Sequence, residues 1–198
     1  MEILRPLTQL KDAIETILSP VPDKEWRRFL KTAKNISKKK YDVIFRQTEI
    51  CREVIYLTDG IAASEYVLDG RSSINRFFLK GSFCTNLISL ATGQPDCDNI
   101  ISLTALQGVI VPVEIFIEYY NEDSTIGRFI RDKVLQTLVE DKSITSAKTL
   151  LTKDALDQFI RDTYPEVISR IPSKYIAQFM GITPEAYSRL LKRRLQKT

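Results

Sequence analysis

Glu185 and Arg189 stand one helical turn apart in Thr183-Pro-Glu-Ala-Tyr-Ser-Arg-Leu-Leu-Lys-Arg-Arg-Leu195. Arginine pairs bidentately with guanine and glutamate accepts from cytosine N4, so these two side chains at this spacing can address neighbouring base pairs in a major groove. Lys174, Thr183, Ser188 and Lys192 are donors of the kind that hold phosphates, and Arg193 continues the same polar face. The competing chemistry is a surface ion pair between Glu185 and Arg189, which steadies a helix by about 0.3 kcal/mol.

Two short helices joined at a glycine must position these groups. Tyr175, Ile176, Phe179 and Met180 recur three and four apart after Ser173, a candidate cap, and predict an amphipathic helix. Gly181 supplies the left-handed residue that ends it. Thr183 then caps the second helix, Pro184 takes the first position where no donor is missed, and Glu185 suits the positive end of the dipole. Ala177 is small where the helices approach, while Ile182, Tyr187, Leu190 and Leu191 seat the second helix on the first. The pattern is a helix-turn-helix. From Arg170 onward seven basic residues face one acid, a net of +6, whereas the rest of the chain is −2. The positive excess therefore sits on the end with the base-reading side chains.

Composition removes most alternatives. Histidine is absent, which excludes the usual general base, cysteine–histidine and serine–histidine catalysis, and histidine-held haem. Seven scattered glycines form no phosphate-cradling loop. Cys51, Cys84 and Cys97 are odd in number and widely spaced, as expected of reduced thiols and not of a disulfide frame or a zinc site. No catalytic group, metal site or cofactor is expected. No apolar run reaches the roughly 18 residues of a membrane span and no signal peptide is evident, so a cytoplasmic protein without membrane contact is expected.

The chain changes character along its length. Leu4 to about Lys34 reads as helix, with Leu7, Leu10, Ile14, Ile17 and Leu18 in period and a second segment around Trp26, Phe29 and Leu30. Lys38-Lys39-Lys40 reads as a solvated turn. Short β runs follow at 43–45, 54–57, 63–68, 74–79 and 109–111, separated by Asp59-Gly60, Asp69-Gly70 and Lys80-Gly81, and predict a small β-barrel or roll. After Glu122-Asp-Ser124, a stripe of Ile126, Phe129, Ile130, Val134, Leu135, Leu138 and Val139 predicts a long helix that either forms a dimer seam or packs only on the roll. Thr149 to Thr152 is a break, and Ala155 to Tyr164 one more helix stopped by Pro165.

This order, together with Arg76-Phe-Phe-Leu-Lys-Gly-Ser-Phe83, Tyr164-Pro-Glu166 and Ile171-Pro-Ser-Lys-Tyr-Ile-Ala-Gln-Phe-Met-Gly-Ile-Thr-Pro-Glu-Ala-Tyr-Ser-Arg189, resembles the Crp/Fnr family of bacterial transcription factors over nearly the whole chain. The resemblance implies an α+β architecture: a cyclic-nucleotide-binding-like β-roll over 1–123, a dimerisation helix over 124–150 and a helix-turn-helix domain over 151–198. It further implies a homodimeric regulator that binds a near-palindromic duplex, with RNA polymerase and a small-molecule effector as further candidate partners. Pro184, Glu185 and Arg189 fall where the family places base-contacting side chains, and Thr183 and Ser188 near phosphates. Ser82, Phe83 and Asn86 fall at the ligand pocket.

The departures are informative. Pro184 replaces an arginine of the best-known readers, Tyr187 replaces a smaller aliphatic residue, and Tyr164 to Ser173 is too short for the β-wing. Gly81 is followed by Ser82 where cyclic-nucleotide binders carry glutamate, and Asp96-Cys97-Asp98 stands near the phosphate-binding arginine. Carboxylates there repel a phosphate, so binding of cyclic AMP in the family's usual way is not expected. The alternative reading is a ligand-binding or protein-interaction module with a degenerate DNA-binding tail.

Overall fold

The computed structural model describes residues 5–196, so Leu4, where the first predicted helix begins, and Lys197 of the basic tail lie outside the described residues. Helix α1 (Arg5–Ile17) buries Leu10 and Ile14, and α2 (Asp23–Phe29) adds Phe29 to the same core. Both follow from the apolar spacing.

Two antiparallel four-stranded sheets form the roll. One runs β1 (Lys34–Lys38), β8 (Leu106–Pro112), β3 (Glu53–Asp59), β6 (Phe83–Cys84); the other runs β2 (Val43–Phe45), β7 (Asp98–Ser102), β4 (Ala62–Leu68), β5 (Arg71–Phe78). The β4–β5 hairpin turns on Asp69 (φ 51°) and Gly70 (φ 74°), the two consecutive left-handed residues of the tight turn that matches strand twist. Ser64 pairs with Arg76 and Glu65 with Ile74, so Asn75 is the extra residue of a bulge in β5, the edge strand. Ile55, Leu57, Ala62, Phe78 and Ile100 fill a fully buried core in the roll.

The structure corrects the reading at several points. Residues 34–38 are strand β1, not helix or turn: a short polar edge strand gains its place from backbone bonds to β8 and buries little, so no apolar pattern announces it. Helix α4 (Val113–Asn121) lies where the β-rich region was expected to run out, and its buried Phe116 and Tyr119 are three apart within an apolar run that periodicity alone leaves ambiguous. Between β5 and β8 the reading had no elements; the structure has β6, helix α3 (Leu87–Thr92) and β7.

Helix α5 (Thr125–Leu150) is capped twice: Ser124 Oγ accepts from Gly127 N at 3.1 Å, and the Glu25 carboxylate of α2 accepts from Ile126 N at 2.7 Å. Its apolar stripe divides. Ile126, Phe129 and Ile130 are buried against the roll, whereas Leu135, Leu138 and Val139 are 62%, 55% and 63% exposed. Then follow α6 (Lys153–Thr163), α7 (Pro165–Arg170), α8 (Ser173–Met180) and α9 (Pro184–Leu195). Their core is continuous with the second sheet, since Ile61, Ala63, Ile74, Phe77, Ile101 and Leu103 cluster with Leu156, Ile160, Tyr164, Ile176 and Phe179.

Candidate nucleic-acid interface and sensor cavity

Helices α8 and α9 meet at Gly181, whose φ of 64° gives the left-handed cap. Thr183 Oγ1 accepts from Ala186 N at 3.2 Å and Pro184 opens α9. At α8 the cap position is Pro172, so Ser173 is the first helical residue and makes no side-chain cap, a correction to the sequence reading. In place of a wing, residues 165–170 form the short helix α7.

The face of α9 away from the core is open. Thr183, Pro184, Glu185, Ser188, Arg189, Lys192 and Arg193 are all exposed, as is Lys174 on α8, which lies over the Tyr175 ring at 4.7 Å. Hydrogen bonds from its own backbone N–H and from Thr183 hold Glu185 below the usual carboxylate range, so it is ionised. Among the described residues no ion pair joins Glu185 to Arg189, although Arg189 lies near enough to favour the Glu185 charge, and both side chains are exposed. Arg193 is drawn back toward Asp154, at 3.7 Å.

Sequence reasoning missed what fixes this helix. Asp157 of α6 is 1% exposed and accepts from Tyr187 Oη at 3.1 Å, Arg161 Nε at 2.8 Å and Arg194 Nη1 at 3.0 Å. Tyr187, large where a smaller side chain was expected, is thus anchored at its hydroxyl, and burial with the nearby Asp157 pushes that hydroxyl up to about 12. The signal was an aspartate on the apolar side of α6, four residues before Arg161.

A cavity of about 420 Å³ lies between β5, the β6–α3 segment and α5. Phe83 and Asn86 line it; Asn86 opens α3 and donates to Asp98 O at 3.2 Å. Ser82 does not line it: its hydroxyl donates to Leu79 O at 2.7 Å and faces a separate depression beside Lys133 and Tyr164. Asp96 and Asp98 do line the cavity. Asp98 accepts from Asn75 Nδ2 at 2.8 Å and from Ser64 Oγ.

Two cations face these acids. Arg76, 8% exposed, gives Nη1 to Asp141 at 2.7 Å and Nη2 to Glu140 at 3.3 Å, while its buried Nε has no partner among the described residues. Burial raises Asp141 and the Arg76 guanidinium opposes that rise. Lys148 donates to Ile74 O at 2.7 Å and Asn75 O at 3.0 Å, and burial lowers its ammonium to about 8. Thr137, Asp141, Ile144, Thr145 and Lys148 share one face of α5 at helical spacing, a polar stripe that was readable beside the apolar one.

The sequence matches no protein-family model and no curated relative. The fold has many solved counterparts. FixK2 from Bradyrhizobium japonicum is similar with a TM-score of 0.67 at 18% identity, over 83% of this chain and 85% of that one. The c-di-GMP-responsive global regulator CLP of Xanthomonas campestris gives 0.64 at 16%, over 86% and 90%. A chain from Eubacterium rectale assigned to the crp/fnr family gives 0.67 at 12%, over 89% and 85%. At these identities the likeness is one of architecture: a cyclic-nucleotide-binding-like roll, a long helix and a helix-turn-helix. No helix among the described residues is long and apolar enough to cross a membrane.

Proposed function

We propose that this protein is a sequence-specific DNA-binding transcriptional regulator that works as a homodimer along α5. The observation that carries the reading is the open face of α9, where Glu185 and Arg189 are exposed and, among the described residues, joined by no ion pair, on a helix tied to its scaffold through Asp157. In the major groove Arg189 reads a guanine and Glu185 accepts from a cytosine, with Pro184 at the edge of the base-reading set. Lys174, Thr183, Ser188 and Lys192 hold phosphates and set the register, with Arg193 at the margin. Paired copies along Leu135, Leu138 and Val139 place two α9 helices on half-sites about 34 Å apart, hence on a near-palindromic site.

The cavity supports an effector other than cyclic AMP, because Asp96, Asp98 and Asp141 bring more negative charge to it than Arg76 and Lys148 offset. The test is selection from a randomised duplex pool at two salt concentrations, followed by sequencing of what is retained. A two-fold symmetric consensus is expected; retention of unrelated sequences with the same salt sensitivity would refute the reading. Arg189→Ala should cost about 1–3 kcal/mol and relax preference at one base pair, whereas Lys192→Ala should weaken all sequences alike.

A further inference from the structure

The edge of β5 is where the sensor roll and the helix-turn-helix meet. Its bulge at Asn75 turns two successive carbonyls, Ile74 O and Asn75 O, toward the end of α5, and Lys148 donates to both, at 2.7 Å and 3.0 Å. The same ammonium sits 4.1 Å from the centre of the Phe179 ring, and Phe179, on α8, stacks at 5.1 Å on Phe77 of β5. Gln178 beside it donates to Ser72, and Ser73 Oγ donates to Gln178 O at 3.4 Å. Lys148 also lines the 420 Å³ cavity, as does its neighbour Thr149, and the chain leaves α5 for α6 at Leu151, three residues later.

We propose that Lys148 is the positioning residue through which the cavity acts on the DNA-reading unit: its ammonium clamps α8 to the bulged edge of β5, and an occupant that draws this charge into the cavity frees α8. Hydrogen-bond capacity is shared between the two sites. An ammonium has three protons, two are given to β5, and the charge is spent on the face of Phe179. An acceptor entering the cavity competes for all three. Because Phe179 and Gln178 hold the first helix of the helix-turn-helix, loss of the clamp alters how α9 is carried relative to the roll while leaving its reading face intact. The inference rests on the proposed sensor-and-reader arrangement, but its test needs no DNA.

Hydrogen exchange of the full chain reads the clamp directly. In Lys148→Met, which keeps the apolar stem, the α8 amides of residues 175–180 should exchange on the order of tenfold faster, with β4 amides unchanged. Lys148→Arg should restore protection, because a guanidinium also donates to two carbonyls and stacks on a ring. Phe179→Leu, which leaves the cavity wall whole, should loosen the same amides. If Lys148→Met exchanges at α8 as the unmodified protein does, or if all three variants speed exchange evenly over the roll, Lys148 is only a packing residue and the proposal fails. Should Lys148→Met not fold, the Phe179→Leu and Lys148→Arg pair decides by the same criterion. A protein that selects no DNA would remove the reader and leave this measurement standing.

Discussion

Asp157→Ala is expected to be the most damaging single change among the carboxy-terminal helices α6 to α9. The carboxylate is 1% exposed and accepts from three groups. Its removal strands the Tyr187 hydroxyl in the core, at a cost of about 1–3 kcal/mol. Arg161 and Arg194 lose less, since their side chains are 24% and 41% exposed and can be hydrated instead. Each then contributes roughly 0.5 kcal/mol, and the total is about 2–4 kcal/mol. For a chain of this size that lowers the melting temperature by about 6–12 °C, read by circular dichroism. Asp157→Asn keeps an acceptor for Tyr187 and should lose about half as much, and Tyr187→Phe roughly 1 kcal/mol. High salt should not mimic the effect, because screening acts on exposed pairs. A melting temperature for Asp157→Ala within about 2 °C of the unmodified protein would refute the buried hub.

Two further outcomes are expected. Leu135→Glu combined with Leu138→Glu should leave a folded monomer by analytical ultracentrifugation, since both side chains are exposed and no core is disturbed; a dimer that survives would place the seam elsewhere. Stability should also follow pH in two opposed steps. The Lys148 ammonium titrates near 8 in the fold and near 10.4 unfolded, so between these values the unfolded chain binds more protons and stability rises with pH. Tyr164 and Tyr187 are pushed up to about 12 by burial, so above pH 10 the unfolded chain loses protons first and stability falls. Urea unfolding between pH 7.5 and 11 checks both limbs; Lys148→Met should flatten the rise and Tyr187→Phe reduce the fall.

What the sequence disclosed and what it hid divide along physical lines. The turn between α8 and α9 was legible because it has local chemistry: Gly181 supplies the left-handed residue, Thr183 offers a cap oxygen, and Pro184 starts a helix. The strands read at 43–45, 54–57 and 63–68 were legible from apolar runs closed by turn dipeptides. β1 was hidden because its stability comes from pairing with β8, about 70 residues away, and not from its own side chains. Arg76 was visible as part of a strand, yet its partners Glu140 and Asp141 lie more than 60 residues on, and nothing local couples them. Asp157 was hidden for the same reason, since its partner Tyr187 comes 30 residues later.

If α5 serves as dimer seam, cavity wall and link to α6, its angular layout says which of these can interact. At about 100° per residue, Leu135, Leu138 and Val139 point to one side of α5, and Thr137, Asp141, Ile144 and Lys148 to the far side. A partner copy on the first face and an occupant of the cavity on the second therefore never touch. Any influence between them must pass through the helix as a rigid body, pinned to β5 by Arg76–Asp141 and by Lys148. A double-mutant cycle on dimer dissociation separates the cases. If α5 moves as a unit, Leu135→Ala and Asp141→Asn should be non-additive by more than about 0.5 kcal/mol, because freeing α5 from Arg76 changes the surface that the seam presents. Strict additivity would mean that the seam is indifferent to the state of the cavity, and that a signal from the cavity reaches α9 only through the Lys148 end of the helix.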